Sequence, residues 1–245
     1  MKKKIIIISA IVAVVLTVIG AAVHFVPRLV LEKVYDIDPK LCKAAKTITD
    51  FDNKRSDYMT VGTDYYVLDI PKGYTKEDVK FQNSKMFTSL DNTKKYILIG
   101  EPSESEDMTL MNVESYKEDE KLAGLTREQL EEVFNSLDYG LPDSCYNVFK
   151  CAALLDVKDF NMFDSNNVIA FMSYAIIKIN GMQYCYIYER DDIRAIVSRM
   201  SEQSNKYYIE IFHKDNLNKS FLINVTTDTE DDIVKLLNSF EFVKE

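Results

Sequence analysis

Histidine and cysteine are the side chains most often used for nucleophilic and metal chemistry, and this chain has few of them. Its two histidines are His24 and His213, and its four cysteines are Cys42, Cys145, Cys151 and Cys185. None lies in the CxxC or HExxH spacing of a metal site, and no local signature of a Cys–His nucleophile pair is present. The sequence therefore predicts no metal, no cofactor and no catalytic pair. We expect mostly buried thiols; a disulfide from Cys185 to Cys145 or Cys151 would require its strand to pack against their helix.

Acidic side chains could form a second kind of catalytic or metal-binding site. Three clusters, at 104–107, 118–120 and 230–232, bring carboxylates together in the sequence. Two carboxyl groups that face a cleft about 5–9.5 Å apart can hydrolyse a glycosidic bond, and loop carboxylates can hold Ca²⁺. The cluster at 230–232 is explained by the first turn of a predicted helix, where acids suit the helix dipole, and the others are expected to be solvated. A carboxylate-dependent hydrolase, with or without a metal, is kept as an alternative function.

Tyrosine is unusually frequent, because fifteen tyrosines accompany no tryptophan. Tyr184, Tyr186 and Tyr188 repeat at every second residue, so in a strand they share one face. We favour core packing beneath a helix, because aromatic side chains suit half-buried pleated surfaces. If that face is open, the three tyrosines form a binding groove for a glycan or a peptide.

The N-terminal segment carries the pattern of a membrane anchor. Lys2, Lys3 and Lys4 precede an apolar run of 22 residues from Ile5 to Val26, with Ile11 and Leu16 near its centre. As a helix the run is about 33 Å long, enough to cross a bilayer core of about 30 Å. We predict an uncleaved, single-pass anchor in contact with the lipid bilayer. The alternative is a signal peptide cut after Gly20 and Ala22, which would leave a secreted protein.

The topology prediction depends on the charges that flank this run. Counting Lys and Arg alone gives a tie, with three on each side. The charges before the run are contiguous and include the terminal amine, so they are harder to translocate, and we place the N-terminus in the cytoplasm. This predicts a cell-membrane protein with an anchor at 1–27, a juxtamembrane stalk at 28–60 and one extracytoplasmic domain at 61–245.

The charge of the predicted domain excludes one class of partner. The formal net charge of the chain is −9, and residues 1–26 contribute three lysines and no acid, so the remainder carries −12. An acidic surface repels a phosphate backbone, which argues against nucleic-acid binding.

Hydrophobic periodicity predicts an α+β domain with elements in the order ββββ–ααα–ββββ–α. Short connections between successive strands favour antiparallel pairing, and helices are expected to cover the antiparallel sheet. A capping box at 126–129 begins the first helix, and the others begin near Pro142, at Asp164 or Ser165, and at Asp228 or Thr229. The predicted strands are 65–70, 86–90, 96–99, 108–113, 183–189, 193–200, 207–213 and 221–225.

Two stretches carry a resemblance to a known fold. The sequence YYVLDIPKGY at 65–74 opens the predicted domain, and DDIVKLLNSFEF at 231–242 closes it. This arrangement resembles the PsbP-like α/β/α sandwich across residues 64–245, and it is similar to membrane-anchored proteins of Gram-positive bacteria. The resemblance implies a non-enzymatic binding or assembly module and supplies no catalytic residues. We therefore expect an anchored domain that binds an envelope protein or a glycan.

Overall fold

Twelve strands and three complete helices are observed in the computed structural model, which describes residues 25–48, 57–77, 84–92, 94–100, 103–104, 126, 128–129, 131–132, 143–182, 184–199 and 201–243. The strands are β1 (Lys46–Ile48), β2 (Tyr58–Gly62), β3 (Tyr66–Pro71), β4 (Tyr74–Glu77), β5 (Lys85–Ser89), β6 (Tyr96–Ile99), β7 (Ser103–Glu104), β8 (Tyr184–Arg190), β9 (Ile193–Arg199), β10 (Lys206–His213), β11 (Asn216–Thr226) and β12 (Glu241–Phe242). The helices are α1 (Cys145–Leu154), α2 (Ser165–Gly181) and α3 (Glu230–Ser239), and short 3-10 turns lie at Pro39–Leu41 and Val157–Asp159.

The strands form two sheets of a mixed α+β fold, as the sequence predicts. The larger sheet has nine strands in the order β1-β8-β9-β10-β11-β6-β5-β4, and β7 pairs with β11. The smaller sheet has the order β12-β3-β2. Every pair among these strands is antiparallel except β1 with β8, which is parallel.

Both faces of the large sheet are buried, and each belongs to a different apolar core. On one face, Ile187, Ile196 and Phe212 pack into a core with α1 and α2. On the other, the alternate residues of the same strands pack into a core with α3 and β3. The period of two along a strand places successive side chains in opposite cores, so three layers result: helices, large sheet, and α3 with the small sheet.

The local start signals in the sequence predict the starts of the helices except that of α1, which begins at Cys145 behind a Ser144 cap and not in a turn that contains Pro142. Thr126 and Gln129 form the predicted capping box, with the Gln129 amide donating to Thr126 Oγ1 at 3.3 Å and the Thr126 amide donating to Gln129 Oε1 at 2.9 Å. The Asp164 carboxylate caps α2, and Thr229 precedes α3. The predicted strand at 108–113 lies outside the described residues.

Residues 28–48, which we predicted to be part of a stalk, pack onto the domain. Residues 25–34 are helical, and Leu31, Ile37 and Cys42 are buried in the core under α1 and α2. Asp38 caps a 3-10 turn at Pro39–Leu41, and the chain then enters β1.

Most of the predicted membrane span at 5–26 lies outside the described residues, which begin at residue 25. Within the part of the chain that the structure describes, which starts at residue 25, we find no helix with the length and apolar character needed to cross a bilayer.

A buried lysine joins the N-terminal segment to both helices of this layer. Lys178 is 1% exposed, and its ammonium donates to the carbonyl oxygens of Lys43 at 2.5 Å, Ala153 at 2.8 Å and Leu155 at 3.0 Å. The last two carbonyls lie at the end of α1, where backbone acceptors lack helical partners and a cation suits the helix dipole. Burial lowers the pKa of Lys178, and three acceptors offset that cost.

We expect Lys178→Met to reduce the free energy of unfolding by about 2–3 kcal/mol, because buried carbonyl groups lose their donor. Urea unfolding of the full chain measures the change. The matched control is Lys43→Met, which removes an exposed lysine side chain at the same junction and should change stability by less than about 0.5 kcal/mol. Equal stability of the two variants would show that the ammonium does not hold these segments together.

Candidate functional site

The helix-covered face of the large sheet carries a glutamate at its centre. Glu210 lies on β10, opposite Ile196 of β9 and Leu222 of β11. Its neighbours on the same face of β10 are Tyr208 and Phe212, and Phe212 is fully buried. The carboxyl group thus lies between two aliphatic neighbours, while Arg194, Ser198 and Asn224 occupy more distant positions on the same face.

A cavity of about 340 Å³ opens above Glu210, and we call it the Glu210 cavity. The strands β9, β10 and β11 form its floor. Two helices form its walls, with Phe149 from α1 and Ile177 and Gly181 from α2. The lining residues are Phe149, Ile177, Gly181, Met182, Ile196, Ser198, Tyr208, Glu210 and Leu222. Tyr208 is 38% exposed and Leu222 is 39% exposed, so the cavity communicates with solvent at its rim.

The Glu210 carboxylate has no ion pair and no side-chain hydrogen bond to any residue that the structure describes. Burial alone raises the pKa of Glu210 to about 7, against an ordinary value of 4.5. The group therefore exchanges its proton near neutral pH, and it is unpaired in both states. Such a group in a cleft is a candidate for a functional site.

Two further polar side chains, Ser198 and Asn224, lie near the cavity. Ser198 Oγ donates to the carbonyl of Tyr208 at 3.5 Å. Asn224 lies opposite Tyr208 across β10 and β11, and its Oδ1 is buried without a hydrogen-bond partner in the described part of the chain. Among the lining residues, Glu210 thus offers an unpaired oxygen acceptor that a ligand with N–H or O–H groups can satisfy.

The three predicted binding tyrosines lie on the opposite face of the sheet. Tyr188 is fully buried and its hydroxyl donates to Asn238 Oδ1 at 2.8 Å, beneath α3. Tyr186 is half-buried, and its hydroxyl is enclosed without a partner among the described residues. Tyr184, at the start of β8, is also half-buried. Tyr188 therefore lies in the core beneath α3, and Tyr186 packs against the same core.

The histidine and cysteine side chains do not converge on a reactive site. None of the four cysteines is in a disulfide. Burial raises the pKa of Cys42 to about 11 and of Cys151 to about 12, which disfavours the nucleophilic thiolate. His213 packs edge-on against Phe242, and its Nδ1 accepts from the Asp215 amide at 3.2 Å. In the described residues, no three His, Cys, Asp or Glu side chains are grouped to hold a metal ion.

Sequence reasoning missed Glu210. The alternation of Tyr208, Glu210 and Phe212 against Tyr207, Ile209 and Ile211 resembles a strand with one solvent face. Phe212 indicates that this face is also covered, because its apolar ring lies on the same face of the strand as the Glu210 carboxylate.

Searches of protein-family models and of curated proteins each found no match to this chain. The functional interpretation therefore rests on the geometry of the Glu210 cavity.

Stability should depend on pH through Glu210. Because its pKa is raised in the folded state, the neutral form contributes stability that is fully present below about pH 4.5 and is lost as pH rises through about 7. The variant Glu210→Gln stays neutral at every pH. Relative to this variant, the wild type should therefore lose about 2–3 kcal/mol between pH 4 and pH 8.

Urea unfolding of both full-length proteins at several pH values measures the difference. Glu241→Gln, which neutralises an exposed glutamate on β12, controls for the loss of one negative charge and should follow the wild type. Parallel pH profiles for wild type and Glu210→Gln would contradict a buried, titrating carboxyl group.

Proposed function

We propose that this protein is a non-enzymatic binding domain held at the membrane by its N-terminal segment, and that it binds a small, mostly apolar molecule in the Glu210 cavity. The observation that carries the proposal is the cavity itself, with apolar walls around one unpaired carboxyl group. Ligand sites are typically concave and apolar, with few polar groups that fix orientation.

The size of the cavity sets the size of the ligand. Its volume of about 340 Å³ equals that of roughly ten or eleven water molecules at about 30 Å³ each. A compact molecule with about ten non-hydrogen atoms therefore fits within it.

The lining favours binding over hydrolysis. Carboxylate-dependent glycoside hydrolysis needs two carboxyl groups that face one cleft. Among the described residues that line the cavity, Glu210 is the single acid. This supports a binding role in preference to the alternative of a carboxylate-dependent hydrolase.

The N-terminal segment supplies the proposed tether. The predicted span ends at Val26, and Leu31 is already fully buried in the domain core. Five helical residues cover only about 7.5 Å. In this proposal the domain is held close to the outer surface of the cell membrane, with Lys2–Lys4 in the cytoplasm, and an envelope protein or glycan can contact its outward surface.

Blocking the cavity should abolish ligand binding. A Cβ at Gly181 would meet no atom within 4 Å, and Gly181 lines the cavity, so Gly181→Leu adds a side chain at the cavity wall. We expect at least a tenfold loss of affinity for octyl compounds of about ten non-hydrogen atoms, measured by titration of the full chain in detergent. Asn180→Leu introduces the same side chain at the adjacent exposed position and should bind normally. Unchanged binding in Gly181→Leu would place the ligand elsewhere.

Charges in the predicted span should release the protein from membranes. The double variant Ile11→Arg/Leu16→Arg adds about 5–7 kcal/mol to the cost of insertion, since each central arginine costs about 2.5–3.5 kcal/mol. Membrane fractionation of cells should find the variant outside the membrane fraction and the conservative control Ile11→Leu/Leu16→Ile within it. A wild-type protein whose N-terminus begins after Ala22 would instead support signal-peptide cleavage.

A further inference from the structure

The Glu210 carboxylate needs a cation that its own fold does not supply. The cations on the elements around the cavity are bound elsewhere: Lys178 of α2 by three backbone carbonyls, and Lys150 of α1 by Glu189 at 2.8 Å. On β9, the Arg194 guanidinium donates to the carbonyls of Arg190 and Ile193. Lys206, at the start of β10, is exposed to solvent.

The walls of the cavity favour an apolar ligand with one charged end. Ile177, Met182 and Ile196 offer aliphatic surface, and the rings of Phe149 and Tyr208 also line the space. Aromatic faces attract cations as well as apolar groups. Hence the same cavity can accept an alkyl chain and stabilise a positive head group.

The net negative charge of residues 27–245 also favours a cationic ligand. A net charge of −12 on residues 27–245 raises the local concentration of small cations and lowers that of small anions. Fatty acids and other carboxylates would place a second negative charge beside Glu210, which is unfavourable in a cavity of low polarity. A neutral alcohol would donate one hydrogen bond and leave the carboxylate charge unbalanced.

We infer that the Glu210 cavity binds a small apolar amine, with the protonated amino group paired to the Glu210 carboxylate and the hydrocarbon part packed between Phe149, Ile177 and Ile196. This inference rests on the proposed function, because it names the ligand class of the same cavity. An ammonium group brings a positive charge and three N–H donors, so it can form a charge-assisted hydrogen bond to the carboxylate.

Head-group preference at constant chain length tests the inference. The chain contains no tryptophan, so Tyr208→Trp places a single indole reporter at the cavity rim. Three probes share an eight-carbon chain with a terminal bromine that quenches the indole on contact: 8-bromo-octan-1-amine, 8-bromo-octan-1-ol and 8-bromo-octanoic acid. Each is titrated at pH 7.5 into the full-length reporter protein in the same detergent.

We expect the amine to bind at least tenfold more tightly than the alcohol, and the acid to bind most weakly. Adding Glu210→Gln to the reporter should remove the preference for the amine, while adding Glu241→Gln should preserve it. A second reporter, Leu222→Trp, lies on the other side of the cavity and repeats the test if Tyr208→Trp perturbs the fold.

The outcomes separate the inference from the proposed function. If all three probes bind with equal affinity, whether or not Glu210 is present, the amine inference is overturned and the cavity remains a binding site. If no probe quenches either reporter, the proposed function itself is overturned. A preference for the amine that survives Glu210→Gln would also overturn the pairing with this carboxylate.

Discussion

One buried ammonium group joins the two helices that cover the large sheet to the N-terminal segment. Lys178 reaches from α2 to the end of α1 and to the N-terminal segment. Its three carbonyl acceptors offset the free-energy cost of burying the ammonium group. This contact fixes the last two turns of α2. The same turns carry Ile177 and Gly181, which form one wall of the Glu210 cavity, so the cavity depends on a lysine that does not line it.

The second constraint is a sheet that is buried on both faces. Such a sheet leaves little room for a charged side chain, yet Glu210 lies between Ile196 and Leu222 in the helix-covered layer. Leaving the carboxyl group unpaired costs stability, because burial favours its neutral form. Buried groups with a strongly shifted pKa are found most often at functional sites. For this reason the proposed binding role is placed in the cavity and not on the tyrosine face.

The sequence predicted the parts of this fold that local patterns determine. The capping box at Thr126, the Asp164 cap and the alternating strands β8 to β11 were readable because each depends on neighbours in the chain. The strands β1 and β12 are three and two residues long, so their identity comes from distant partners, β8 and β3. The burial of Glu210 also depends on helices that lie far away in the sequence, and Phe212 on the same face of β10 is its one local indication.

The proposed recognition depends on one pair of atoms, a ligand nitrogen and a Glu210 carboxylate oxygen. A crystal structure of the full chain grown with octan-1-amine tests this pairing directly. We expect density for the alkyl chain in the Glu210 cavity, with the nitrogen about 2.7–2.9 Å from a carboxylate oxygen. A cavity filled by side chains of the protein, or an amine bound only at other positions, would contradict it.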